Sequence, residues 1–283
     1  MKKTLLICGS GASEAVPALF CTCNLCREAW KRGGKDRRSR TAYQLGETIR
    51  IDAGPDLYYQ REKFQLHLEK WKHLFITHPH KDHFMPQNLL WHRHEDPGPA
   101  VLPEEILHFY GTKETIDLLY SASAAPLPLD EMRLAIHEMT LGEKLLLPEE
   151  GMSFTPIWAN HYCEGAVNFI VEMADGYTFF IGTDSGRILP HTWEELKKRK
   201  FDMMILDATA GKLPIEEGGH MTAPQALAAA ERLRQEGIAK KECRFIVNHF
   251  AHCAGMLHED LEKFFLPHGI ETAYDGMEVE VGF

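Results

Sequence analysis

Between Thr77 and Phe84 the chain reads THPHKDHF, three histidines and an aspartate within six positions. The preceding KHLFI is an apolar run with β-branched and aromatic character, the pattern of a buried strand. Pro79 stops regular structure, so the cluster lies on a loop at that strand's end, where a rigid scaffold commonly carries binding chemistry. On an extended loop His78 and His80, two apart, point the same way; Asp82 and His83 follow after a turn and can face a second ion beside the first. Imidazole and carboxylate together suit zinc, manganese or iron. Two such ions about 3.5–4 Å apart activate water and polarise a phosphoryl or carbonyl oxygen.

Strands and helices interleave along the rest of the chain. TLLICGS, TAYQL, TIRIDAG and HLFIT have the pattern of early strands, with a helical stretch from Asp56 to about Lys70 between the last two. Residues 84–145 are mixed, with PGPAVLPEE as a loop and TKETIDLLYSA as a short helix. MSFTPIWAN, AVNFIVEM and YTFFIGTD predict three antiparallel strands broken by turn residues such as Asp175-Gly176. TWEELKKRK predicts a helix and FDMMILDAT a strand; MTAPQALAAAERLRQEG predicts a helix closed by Gly237. CRFIVNH, a last helix and MEVEVGF finish the chain, which is expected to form one domain over residues 1–283. Apolar runs end at Asp52, His78, His161, Asp184, Asp207 and His249. Six strand ends bearing histidine or aspartate are hard to assign to packing, and loops from separate strands meeting on one rim are how a sheet scaffold builds a site.

Composition narrows the partners. The net charge of −10 over 283 residues disfavours broad electrostatic capture of nucleic acid. No run approaches the 18 or so apolar residues of a membrane span. The opening MKKTLLICGSGA has too short an apolar core for an export signal and is expected to be the first strand of a cytoplasmic protein. KRGGKDRRSR, residues 31–40, sets six basic residues against Asp36; it is either a solvated loop leading into a strand or a positive rim near a phosphate substrate. Seven cysteines, three of them in CTCNLC, point to metal binding rather than disulfides.

The H-x-H-x-D-H run at a strand end, followed in order by ANHYC, GTDSG and VNHF, resembles the signature of the metallo-β-lactamase superfamily. The resemblance implies an α/β (α+β) fold, a four-layer αβ/βα sandwich of two mixed sheets, with two divalent ions, zinc or manganese, at the edge where strands end. It implies His78, His80 and His161 on one metal, Asp82, His83 and His249 on the other, and Asp184 bridging them. Asp52 in IDAG would orient the ligand loop from behind, as would Asp207 at its own strand end. Asp82 and His220 would be the catalytic side chains. His92 and His94 are expected to face solvent or a pocket rim and not to bind metal.

Within that superfamily, C-x-C-x-x-C after GSGASEAVPALF resembles the phosphoribosyl cyclic phosphodiesterases of the carbon–phosphorus lyase pathway. That likeness implies a structural zinc on Cys21, Cys23, Cys26 and His252, with Cys253 a competitor for the last position. GGHMTAP resembles the H-x-T-A segment of the tRNase Z branch. Thr222 is the expected N-cap with Pro224 in the first turn, a place where backbone N–H groups favour a phosphate, and His220 beside it can protonate a departing alkoxide. The expected activity is hydrolysis of a small phosphate diester, cyclic and built on a sugar or nucleotide, by a soluble enzyme for which a homodimer is a candidate assembly. Rivals are tRNase Z-like RNA cleavage, hydrolysis at carbon, and a non-catalytic metal-binding role like that of the pyrroloquinoline-quinone B protein.

Overall fold

The structure, a computed structural model, describes residues 2–92, 106–121 and 132–283. His94 and the PGPAVLPEE stretch lie outside the described residues. In chain order the first sheet takes β1 (Lys3–Gly9), β2 (Ala42–Leu45), β3 (Ile49–Ile51), β4 (His73–Phe75), β5 (Leu107–Gly111) and β6 (Leu134–Glu138). The second takes β7 (Leu145–Leu147), β8 (Met152–Trp158), β9 (Val167–Met173), β10 (Thr178–Gly182), β11 (Phe201–Asp207), β12 (Ala239–Asn248) and β13 (Ile270–Thr272), and β14 (Met277–Val281) returns to the first beside β1. Each sheet is mixed in the same way. From β14 to β3, and from β7 to β10, neighbours are antiparallel; from β3 to β6, and from β10 to β13, they are parallel.

Burial explains why the strands read as continuous apolar runs. Alternate residues of a strand face opposite sides, and both sides are covered. Phe75 faces the core between the sheets with Ile7, Tyr43, Phe154 and Phe169, whereas Leu74 and Ile76 join a second cluster with Leu57, Phe84, Phe109 and Leu119. Helices α1 (Asn24–Arg32), α2 (Leu57–Phe64), α3 (Lys113–Ser121), α4 (Pro190–Lys197), α5 (Ala223–Gln235) and α6 (His258–Phe265) flank the sheets, so the four-layer α/β sandwich is as expected. No described helix is long and apolar enough to cross a membrane. The helix expected from Asp56 to Lys70 stops early: Gln65 turns left-handed at φ 53° and closes α2, leaving only a short turn at Leu68–Lys70.

The basic segment is neither wholly solvated nor a rim of the cavity described below. Arg38 is buried, with Nη1 donating to Ser10 Oγ at 2.8 Å and to the Ala273 carbonyl at 2.7 Å, and Nη2 donating to His258 Nδ1 at 3.0 Å. Arg40 pairs with Asp56 at 3.0 Å. His258 closes the chain of contacts by donating Nε2–H to Glu262 at 3.0 Å, so its neutral form is the one the packing wants. Burial, then the Arg38 guanidinium, push this imidazole down from 6.5 to about 4. The unfolded chain therefore binds a proton that the folded chain refuses, and stability present above pH 6.5 is lost as pH falls toward 4. Denaturant unfolding of His258→Gln should show a stability difference from the parent that shrinks by about 2–3 kcal/mol between pH 7 and pH 4.5. Parallel pH profiles for the two proteins would sink this assignment.

Candidate metal centre

The loaded strand ends do meet, at the carboxyl ends of the parallel strands, where open α/β sheets characteristically place ligands. Asp52 follows β3, His78 and His80 follow β4, His161 lies between β8 and β9, Asp184 follows β10 and His249 follows β12, while Asp207 ends β11. Three of these, Asp52, Asp184 and His249, are non-glycine residues in left-handed backbone, at φ 63°, 56° and 68°. Such conformations are uncommon and cluster at functional sites. Beneath them Tyr43 ties the sheets together, accepting from Asn248 Nδ2 at 2.8 Å and lying 3.1 Å from Thr183 Oγ1.

Hydrogen bonds behind the histidines decide which nitrogen each presents. Thr77 Oγ1 gives its proton to Asp52, so His78 Nδ1–H donates to Thr77 at 3.0 Å and the Nε2 lone pair faces inward. His83 Nδ1–H donates to Asp52 Oδ2 at 2.7 Å, which likewise turns Nε2 inward. Thr209 Oγ1 donates to Asp207 at 2.8 Å and accepts from His249 Nδ1–H at 2.7 Å. His161 Nδ1–H donates to the Gly219 carbonyl at 3.2 Å and sets Nε2 3.0 Å from His80 Nδ1. Outer partners that fix the tautomer in this way are typical of metal-binding histidines.

The presented atoms fall into two groups sharing one carboxylate. His78, His80, His161 and Asp184 form the first; Asp82, His83, Asp184 and His249 form the second, the ligand atoms of each lying within 4.8 Å of one another. Asp184 stands at 3.1 Å from His78, 2.9 Å from His83 and 3.6 Å from His249. His78 Nε2 and Asp184 Oδ1 are buried without an aligned hydrogen-bond partner, an expensive state unless another ligand engages them. Burial, then the neighbouring His83, push His78 down to about 4, which keeps its lone pair available. Burial opposes charge on Asp184 and Asp82, but surrounding imidazoles outweigh it and hold both carboxylates well below the ordinary range. Against burial, Asp82 and Asp52 hold a proton on His83, and a divalent cation in the second group would displace it. The donor set therefore fits divalent metal.

Asp207 serves two histidines. It orients His249 through Thr209 and lies 3.4 Å from His220 Nδ1, which is also 3.2 Å from Asp184. Burial works against a proton on His220, but Asp207 and then Asp184 outweigh it and raise the imidazole to about 9. Thr222 caps α5 as expected, in a reciprocal box with Gln225. The expected phosphate seat on that helix end is already used up: Met221, Thr222 and Ala223 N–H donate to Asp207, Gln225 and the Gly211 carbonyl. What remains there for a substrate is His220 itself. Among the described residues His92 joins no metal-binding group, its Nδ1 lying 2.7 Å from the Met132 carbonyl.

Thr77, Thr209 and Gly54 were not singled out by the sequence. Each adjoins or nearly adjoins a residue that was; for the two threonines a hydroxyl beside a loaded strand end is the only signal. A Cβ at Gly54 would lie 1.9 Å from the Asp82 carbonyl, so this glycine lets the ligand loop close onto β3.

The cysteines gather as expected: Cys21, Cys23, Cys26 and His252 bring their ligand atoms within 4.8 Å, with Cys21 Sγ 3.5 Å from His252 Nδ1. Cys253 is not in this cluster and lines the cavity instead. The His252 contact lowers the Cys23 thiol to about 6, while burial raises Cys26 to about 12. Three thiols and an imidazole fit a closed tetrahedral zinc site. His249 and His252 share one loop, and Phe250 in it exchanges backbone bonds with Ser10 and Ala12. Cys23→Ser is thus expected to lower Tm and, through His249, active-site metal content; unchanged values for both would remove the structural role.

The metal groups open into a cavity of about 720 Å³, whose wall includes Ser13, Glu14, Lys81, Tyr162, Leu213, Ile215 and Cys253. The profile of the beta-lactamase superfamily domain matches residues 47–250. A solved structure of a diphosphatase from the PhnP family is 25% identical, with a TM-score of 0.76 over 99% of this chain and 97% of that one. Zinc-bound PqqB from Methylobacterium extorquens is 18% identical, with a TM-score of 0.73 over 98% and 99%. An octanoyltransferase from Porphyromonas gingivalis is 24% identical across 96% of this chain and 50% of its own, so the chain spans about half the length of that relative. With the profile covering most of the sequence and both sheets in place, the chain belongs to the beta-lactamase superfamily and has the metallo-β-lactamase fold.

Proposed function

We propose that the protein is a phosphodiesterase using two divalent ions, zinc or manganese, to hydrolyse a small phosphate diester, in the first place a cyclic ester of a sugar or nucleotide. The observation that carries this reading is His220, its Nδ1 3.4 Å from Asp207 and 3.2 Å from Asp184, standing beside two four-residue donor groups that share Asp184. When bound, such ions would polarise the phosphoryl oxygen and lower the pKa of an attacking water. His78, His80 and His161 would hold one ion, Asp82, His83 and His249 the other, and Asp184 both. Asp52 and Asp207, through Thr77 and Thr209, keep the imidazoles aimed. With Nδ1 turned to Asp207, His220 has Nε2 left to give a proton to the departing alkoxide. A cavity of about 720 Å³ suits a small ester. The PhnP-family diphosphatase, 25% identical over nearly the whole chain, supports chemistry at phosphorus.

The test is metal per chain by mass spectrometry, followed by assays with bis(p-nitrophenyl) phosphate, cyclic ribose phosphates, 2′,3′-cyclic nucleotides, a thioester and a transfer-RNA precursor. Two active-site ions, one zinc at the cysteines and cleavage of the small diesters are expected. Cleavage of the thioester alone would overturn the assignment.

A further inference from the structure

Tyr162, next in sequence to His161, is 78% exposed although it lines the metal cavity. An exposed tyrosine alone says little, but this ring has a prepared seat. It lies against Gly218 and Gly219, the two residues before His220: a Cβ on Gly218 would come 2.9 Å from Tyr162 Oη, and one on Gly219 2.9 Å from Tyr162 Cδ2. Any side chain at either position would push the ring away. Ile215, 39% exposed, continues the apolar surface, its Cγ2 lying 3.7 Å from the same Gly218 position. The tyrosine thus packs along the two glycines that precede His220, at the mouth of the site beside the proposed proton donor.

Charge around the cavity points the same way. Apart from the metal-binding and His220 groups, Lys81 and Glu14 are the charged side chains lining it among the described residues, and no arginine does so. In the basic segment Arg38 is buried and Arg40 pairs with Asp56, and none of its side chains lines the cavity. Among the described residues, a second phosphate on the substrate would find one lysine offset by one glutamate. A flat, uncharged ring would find an exposed aromatic side chain.

Resting on the phosphodiesterase reading above, we propose that Tyr162 is a stacking platform for the non-reacting part of the substrate, and that this part is a nucleobase rather than a phosphorylated sugar. Stacking of a base on an aromatic side chain is sequence-tolerant, since every base has a π-face.

The test compares kcat/KM for adenosine 2′,3′-cyclic phosphate, base-free ribose cyclic phosphate and ribose 1,2-cyclic phosphate 5-phosphate in metal-loaded parent, Tyr162→Phe and Tyr162→Ala proteins. The parent is expected to prefer the nucleotide over both sugar esters. Tyr162→Ala should cut the nucleotide-to-base-free ratio by about 10- to 100-fold, and Tyr162→Phe should keep it within about threefold. A ratio unmoved by Tyr162→Ala, or a parent preference for the 5-phosphate ester, overturns the platform while leaving diester hydrolysis standing. If none of the three esters is cleaved, the phosphodiesterase reading fails separately, and binding of adenosine 5′-monophosphate decides the platform. Weaker binding to Tyr162→Ala then supports it, and equal binding overturns it.

Discussion

Asp184→Asn is expected to lower diester hydrolysis by at least about 10³-fold and to empty the active site of metal under conditions where the parent is saturated. Asparagine keeps the shape and tolerates the left-handed backbone at φ 56°, so strain is not the cause. Charge is. The carboxylate stands within 3.6 Å of nitrogen atoms from His78, His83, His161, His220 and His249, and it belongs to both donor groups. An amide offers one neutral oxygen where two anionic ones were shared, leaving the first group with three imidazoles and no anion. The metal-free variant is expected to be less stable than the metal-free parent, because the imidazoles that favour the carboxylate lose their anion, so metal loss is read on protein that circular dichroism shows to be folded. The rise in Tm on adding zinc or manganese should shrink with the lost affinity. Two bound ions and turnover within tenfold of the parent would take Asp184 out of the bridging position.

Why the ligands could be found from sequence while their supports could not is a matter of length scale. His78, His161, Asp184 and His249 each follow an apolar run, and hydrophobic periodicity locates strand ends without knowing which strands pair. Thr77 and Thr209 act through bonds to Asp52 and Asp207 that depend on two strands lying side by side, which no local pattern records. Arg50 is a stronger case. A charged residue in a three-residue strand predicts an exposed face, yet it is fully buried, donating Nε–H to the Asp52 carbonyl at 2.7 Å and Nη1–H to Cys8 at 3.0 Å. It holds the residue that holds His83.

The same limit explains the two misreadings at the surface. Clustered lysines and arginines look alike whether solvated or not, and only the fold brings His258 and the Ala273 carbonyl to Arg38. Thr222 and Gln225 announce a helix start in any context. That the remaining N–H groups are taken by Asp207 and Gly211 depends on β11 and the turn after it. The internal repetition of the fold was also hidden. β3 and β10 hold equivalent places in their sheets and both lead into a left-handed aspartate, but Asp52 props a histidine from behind while Asp184 faces the cavity.

His220→Gln should separate proton donation from metal chemistry. For an ester whose leaving group is an alkoxide, turnover is expected to fall by about 10²–10⁴-fold, the usual worth of a positioned acid. For bis(p-nitrophenyl) phosphate, whose phenolate departs without a proton, the loss should stay below about tenfold. His220 also falls in a group with Asp184, Asp207 and His249, so metal content is measured alongside; content equal to the parent is expected if His220 acts on the proton alone. The pH profile adds an independent reading. In the metal-free protein Asp207 and Asp184 raise the His220 pKa from 6.5 to about 9; cations on Asp184 would lower it, so alkoxide-ester turnover should decline on an alkaline limb at or below pH 9 as the imidazole loses its proton. In the variant that limb should vanish. The stability linkage runs in the same direction: the His220 proton contributes fully below pH 6.5, and its contribution is lost as pH rises through about 9. The Tm gap between parent and variant should therefore narrow from pH 6 to pH 10. Equal losses on the alkoxide and phenolate esters would instead make His220 a residue that positions Asp184 and His249, which it contacts on the cavity side.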